Sequence, residues 1–108
     1  MNFTVVTTER AAREIEDAAA WWAHERSVEQ AERWYQGIRA AIVGLSAMPD
    51  RCPIAAEYKS VPYEVRELHY GLGSRPTHRI VFTIVRDTVL VLTVRHEARG
   101  DLLAGDLS

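Results

Sequence analysis

Cysteine is almost missing from this chain: Cys52 is the only one. No internal disulfide can form, which points to a reducing compartment. With Pro53 beside it and no second cysteine nearby, the thiol reads as an idle side chain and not as a nucleophile or metal ligand. Long apolar runs are missing too, so nothing approaches the length needed to span a bilayer. The opening MNFTVVTTER lacks a basic region followed by a long apolar stretch and reads as a strand, not as a signal peptide. Together these absences predict a cytoplasmic protein with no membrane partner. Charge of one sign is also lacking: 13 Lys and Arg against 15 Asp and Glu give a formal net charge of −2. That balance announces neither a nucleic-acid binder nor a membrane-surface protein. No repeat, linker or low-complexity tract divides the sequence, so residues 1–108 are expected to form a single domain.

Several chemical motifs are absent as well. Gly71 and Gly73 lead to Pro76 and not into a helix, so no phosphate-binding glycine loop is present, and no Gly-x-Ser-x-Gly elbow occurs. The histidines, His24, His69, His78 and His96, include no pair at helical metal-ligand spacing. A site built from His69, His78 and His96 would rest on strand register alone, so the reading assigns no metal and no cofactor.

What is present is a clear order of elements. Asn2 to Thr7 is β-branched and reads as a strand, with Thr8 as the N-cap of a helix and Glu9 in its first turn. Ile15, Ala18, Ala19 and Trp22 recur at helical spacing, while Trp21 falls off that stripe and is the tryptophan expected to be exposed. His24 to Arg26 break the pattern, and Ser27 with Gln30 has the form of a capping box. A second stripe from Ala31 through Trp34, Ile38, Ile42 and Leu45 to Met48 continues until Pro49, with Glu29 and Arg33 spaced to pair on its wet side. The three prolines between 49 and 62 mark an irregular surface connection. Tyr63 to Tyr70 alternates like a strand, and after a loop the stretch HRIVFTIVRDTVLVLTVRHEAR, residues 78–99, reads as a hairpin turning at Arg86-Asp87-Thr88. The fold class is therefore α+β: an N-terminal strand, an αα-hairpin, then three antiparallel strands, with the helices on one face of the sheet and the other face free.

Alternation assigns Ile80, Phe82 and Ile84 to one face of that hairpin and Arg79, Val81, Thr83 and Val85 to the other. On the last strand it separates Leu90, Leu92 and Val94 from Val89, Val91, Thr93 and Arg95. Larger hydrophobes should meet the helices, so Ile80, Phe82, Leu90 and Leu92 are expected in the core. Arg79, Thr83, Thr93 and Arg95 fall on the open face. The candidate working surface is then Arg66, Arg79, Arg95, His96 and Arg99, weighed against the plainer role of arginines as solubilising strand margins. One chemical use stands out. Histidine is the side chain type suited to proton transfer near neutrality, so His96 could move a proton while Arg66 and Arg79 hold a phosphate, which together would cleave RNA without metal.

The order of AMPDRCP closing the second helix, VRELHY on a strand, HRIVFTI on the next and VLVLTVRHEAR on the last resembles the RelE/ParE superfamily of bacterial toxins, from Phe3 to about Leu103. The resemblance implies the toxin half of a type II toxin–antitoxin module, neutralised by a cognate antitoxin. Two targets follow from it: ParE-like members inhibit DNA gyrase without a reaction of their own, whereas RelE-like members cut messenger RNA on the ribosome. Arg79 matches the arginine of the family's Tyr-Arg strand motif, Arg66 its preceding basic position, and His96 and Arg99 the histidine and arginine near its end. Ribonucleolytic members carry further basic residues along these strands, and two such positions are Glu67 and Glu97 here. Acids there repel polyanionic RNA. The resemblance thus favours a ParE-like gyrase inhibitor, associated with growth arrest and plasmid stabilization, with no catalytic residue. The alternative is a RelE-like endoribonuclease using Arg66, Arg79 and His96.

Overall fold

The computed structural model of the protein describes residues 2–97. Its elements are β1 (Thr4–Thr7), α1 (Glu9–Glu25), α2 (Val28–Gly44), 3-10 turns at Pro49–Arg51 and Ala56–Ser60, β2 (Arg66–Tyr70), β3 (His78–Val85) and β4 (Thr88–His96). The strands form one sheet in the order β1-β4-β3-β2. β2, β3 and β4 are antiparallel as expected, but β1 runs parallel to β4, with Thr4 opposite Thr88 and Thr7 opposite Val91. The helical hairpin supplies the long crossover that a parallel pair needs.

Both helices start where the side chains predict. The Thr8 hydroxyl accepts from the Ala11 N–H at 3.1 Å, and that of Ser27 accepts from the Gln30 N–H at 3.1 Å. Each satisfies one of the donors a helix leaves open at its first turn. The reciprocal half of the capping box is not made, because the Gln30 side-chain oxygen is buried without a partner. α2 stops at Gly44, short of the predicted Met48. Pro49 disfavours a helical conformation at the residue before it, and Met48 takes a left-handed one, φ 52°. The freed Ser46 carbonyl accepts from the Phe3 N–H at 2.7 Å, which ties the entry to β1 to the end of α2.

The main core lies between the helices and the sheet. Ala11 and Ile15 of α1 and Trp34, Ile38 and Ile42 of α2 pack on Ile80 and Phe82 of β3 and Val89, Val91 and Val94 of β4. Leu90 and Leu92 do not meet the helices, contrary to the alternation read from the sequence. The register shifts once: Val81 faces Thr93 while Phe82 faces Val91, so Leu92 is an extra residue, a β-bulge. The bulge slips the phase of β4, putting Val89 and Val91 on the same side as Val94.

The opposite face is not free. Ala55 and Val65 cover Val81 there, with Val61, Tyr63 and Leu92 packed around them. The connection after Pro49 therefore folds across the sheet, because Val81 and Leu92 leave apolar area on that side to be removed from water. As a result Arg79, Thr83 and Thr93, expected on an open face, are all buried. The same connection covers the outer edge of β2, where the Glu67 N–H bonds the Pro53 carbonyl and Ile54 bridges Arg66.

Candidate functional site

Arg79 reaches from β3 beneath the second 3-10 turn. Its guanidinium grips Glu57 through both nitrogens, Nη2 to Oε2 at 2.7 Å and Nη1 to Oε1 at 3.2 Å, and Nη1 also donates to Glu67 at 2.8 Å. Glu57 is 1% exposed and Arg79 8%. Hydrogen bonds to Glu57 hold the guanidinium charged, raising its pKa further despite burial. From Glu67 the charges continue to His69 Nε2 at 3.0 Å, and from His69 Nδ1 to Glu97 at 2.9 Å. Burial alone would lower the His69 pKa, but the bonds to Glu97 and Glu67 outweigh it and the net shift is upward.

The remaining candidates lie elsewhere. Arg66 Nη1 donates to the Asp50 carbonyl at 3.0 Å and to that of Cys52 at 2.6 Å, while Nη2 pairs with Glu64 at 2.8 Å. It acts as a clasp on the chain that follows α2. Arg95 stands opposite Arg79 in the β3–β4 ladder and keeps its Nε buried without a partner. Arg99 lies outside the described residues. His96 stands opposite His78, their rings edge-to-face with centroids 5.2 Å apart, and His78 meets Trp34 of α2 at 5.0 Å. Burial first, and the neighbouring His96 second, lower the His78 pKa to about 4.

These positions divide the predicted set. Arg79 and Glu57 lie on the face turned away from the helices, while the His78 and His96 rings lie against Trp34 on the helix side. Arg66 sits opposite Phe82, on the helix side as well, with its donors turned to Asp50, Cys52 and Glu64. The structure does not bring Arg66, Arg79 and His96 together around one point. His69, paired with Arg79 in the ladder, is likewise across the sheet from His78 and His96. Among the described residues no group of three or more His, Cys, Asp or Glu is placed to hold a metal ion. Glu57 is the residue sequence reasoning missed. It sits between Ala56 and Tyr58 in an irregular stretch with no pattern, and only the demand of a buried arginine for an acid points to it.

A cleft of about 560 Å³ lies between α1 and the carboxyl half of β4, lined among others by Asp17, Trp21, Trp22, His78, Val94 and His96. Trp21, 52% exposed as its place off the stripe predicts, stands edge-on to Trp22 at 5.6 Å with the Arg26 guanidinium 5.9 Å above it.

The family model for the ParE toxin of type II toxin-antitoxin system, parDE, matches residues 5–100. The chain belongs to the ParE toxin family. Among solved structures this ParE-family chain is similar to one from the chromosomal ParDE toxin–antitoxin system of P. aeruginosa, with a TM-score of 0.69 at 17% identity over 87% of this chain and 95% of that one. It also matches one from the RelBE2 toxin–antitoxin complex of Mycobacterium tuberculosis, with a TM-score of 0.45 at 21% identity over 90% of this chain and 100% of that one. No curated protein matches the sequence. The α+β fold and the superfamily expected from the strand motifs are both observed. The family is one of type II toxins, and no helix among the described residues is long and apolar enough to cross a membrane.

Proposed function

We propose that this ParE-family chain inhibits DNA gyrase in the cytoplasm, arrests growth when unopposed, and is neutralised by a cognate antitoxin. One observation carries the choice of target. Metal-free RNA cleavage needs cations and a proton carrier converging on one phosphate. Here Arg79 is taken up by Glu57 and Glu67 on one face of the sheet, while His96 lies on the other. A carboxylate already fills the fork that a phosphate would occupy. An inhibitor that acts by binding makes no such demand, and the similar chain from P. aeruginosa comes from a ParDE toxin–antitoxin system.

The test is DNA supercoiling by purified gyrase with and without the purified protein, run in parallel with His96→Ala. Inhibition with accumulation of cleaved DNA, retained in His96→Ala with at most some loss of affinity, is the expected result. No effect on gyrase from a protein that still arrests growth, combined with RNA cleavage abolished in His96→Ala, would overturn it in favour of a ribosome-dependent nuclease.

A further inference from the structure

His69 meets a carboxylate at each of its ring nitrogens, Glu97 at Nδ1 at 2.9 Å and Glu67 at Nε2 at 3.0 Å. An ionised carboxylate only accepts, so both nitrogens must donate, whereas a neutral imidazole has one N–H and one lone pair. The geometry therefore requires the imidazolium. A neutral ring would turn its lone pair on one of the two acids.

The surrounding charges call for the same state. In the row across the sheet His69 of β2 stands beside Arg79 of β3, with Arg95 of β4 beyond it. The 3-10 turn over this face carries Glu57, bound to Arg79, and Lys59. The bonded network thus joins three carboxylates, Glu57, Glu67 and Glu97, to one guanidinium, and the imidazolium is its second cation. The His69 side chain is 38% exposed, so its proton exchanges with water.

The two acids differ in how firmly they are held. Glu67 is fixed within β2 by Arg79 at 2.8 Å and by its own N–H on the Pro53 carbonyl. Glu97 follows the end of β4, and among the described residues its carboxylate bonds His69 alone. When the ring loses a proton, the N–H that remains stays with the acid that cannot move, and the lone pair faces the one that can. Glu97 is the acid released. Its backbone N–H donates to the Thr77 carbonyl at 2.8 Å and closes the open end of the β3–β4 hairpin, next to the paired rings of His78 and His96.

We infer that His69 is a proton-operated latch: as an imidazolium it ties the end of β4 to β2 across β3, and as a neutral ring it lets Glu97 go and loosens the Thr77–Glu97 junction. The sense of the switch follows from its surroundings. Burial lowers the His69 pKa, but the bonds to Glu97 and Glu67 outweigh it and hold the folded value above 6.5. The latch is closed below pH 6.5 and opens as pH rises through the folded value. The other end of the hairpin, at Arg86–Asp87, carries no histidine and serves as the internal reference.

The experiment follows the purified full chain between about pH 5.5 and 9, across the histidine range, by NMR of the imidazole nitrogens and by amide hydrogen exchange corrected for the intrinsic effect of pH. At the acid end both nitrogens of His69 are expected to carry a proton. Through the titration of that ring the Glu97 amide should gain about threefold in corrected exchange relative to Val85, the size of one partly exposed ion pair. Glu97→Gln provides a side chain that both donates and accepts and so bonds a neutral ring equally well. It should lower the titration midpoint of His69 and abolish the step in exchange. A His69 ring that holds a single proton at the acid end, or a Glu97 amide that follows Val85 at every pH, overturns the latch. A step of the same size and midpoint in His69→Gln overturns it too, by assigning the change to another group.

Discussion

Glu57 and Arg79 show how one residue pair redirects a surface. Each would be costly to bury alone, and the bidentate contact at 2.7 and 3.2 Å, with Glu67 adding a third bond, offsets that cost. Removing Glu57 takes away two of the three bonds that hold this buried charge and leaves Glu67 to offset it. Glu57→Ala is therefore expected to destabilise the fold by about 3–5 kcal/mol, read as a lowered midpoint in urea unfolding. Replacing both residues together by apolar side chains of similar volume should recover most of that loss; a Glu57→Ala variant as stable as the parent would show that the pair does not hold the turn over the sheet. Arg79 itself was legible as a notable residue from its place in the strand motif. Its burial was not, because the acid that draws it inward lies 22 positions earlier in a stretch without periodicity.

At the scale of elements, the caps and the helical stripes were readable because they are local: Thr8, Ser27, Trp34, Ile38 and Ile42 all sit where spacing places them. The faces of β4 were not. A single inserted residue, Leu92, reverses every assignment on one side of it, and alternation carries no mark of where an insertion falls. The cue lies in another element, since Glu14 of α1 satisfies the Val94 N–H and the Thr93 hydroxyl at the bulge. Glu14→Ala strands both donors in a site where Thr93 is fully buried. A loss of roughly 2–3 kcal/mol follows from bonds made to a charged acceptor. The check is a lowered Tm together with faster amide exchange at Val94; unchanged exchange there would show that the bulge needs no cap.

For the molecule as a whole, two histidines on opposite sides of the sheet bend stability against pH in opposite directions. His69 has its pKa raised above 6.5 in the fold by Glu97 and Glu67, in excess of the effect of burial. Its contribution is complete below pH 6.5 and is lost as pH rises through the folded value. His78 is lowered from 6.5 to about 4 by burial and by His96, so its contribution is present above 6.5 and is lost as pH falls toward 4. A shift of that size corresponds to roughly 3 kcal/mol. Urea midpoints measured from pH 4 to 9 should therefore peak near pH 6.5, and His78→Phe should flatten the acid side of the curve; an acid limb unchanged in His78→Phe would assign it to other groups. The parallel pairing of β1 with β4 has a further consequence for the protein's synthesis. Thr8 finds its partner Leu92 only across 84 positions, so the first strand leaves the ribosome long before the strand it joins exists. At ordinary translation rates that interval lasts several seconds. Through it the nascent chain has no completed sheet, and the fold closes only once β4 has been made.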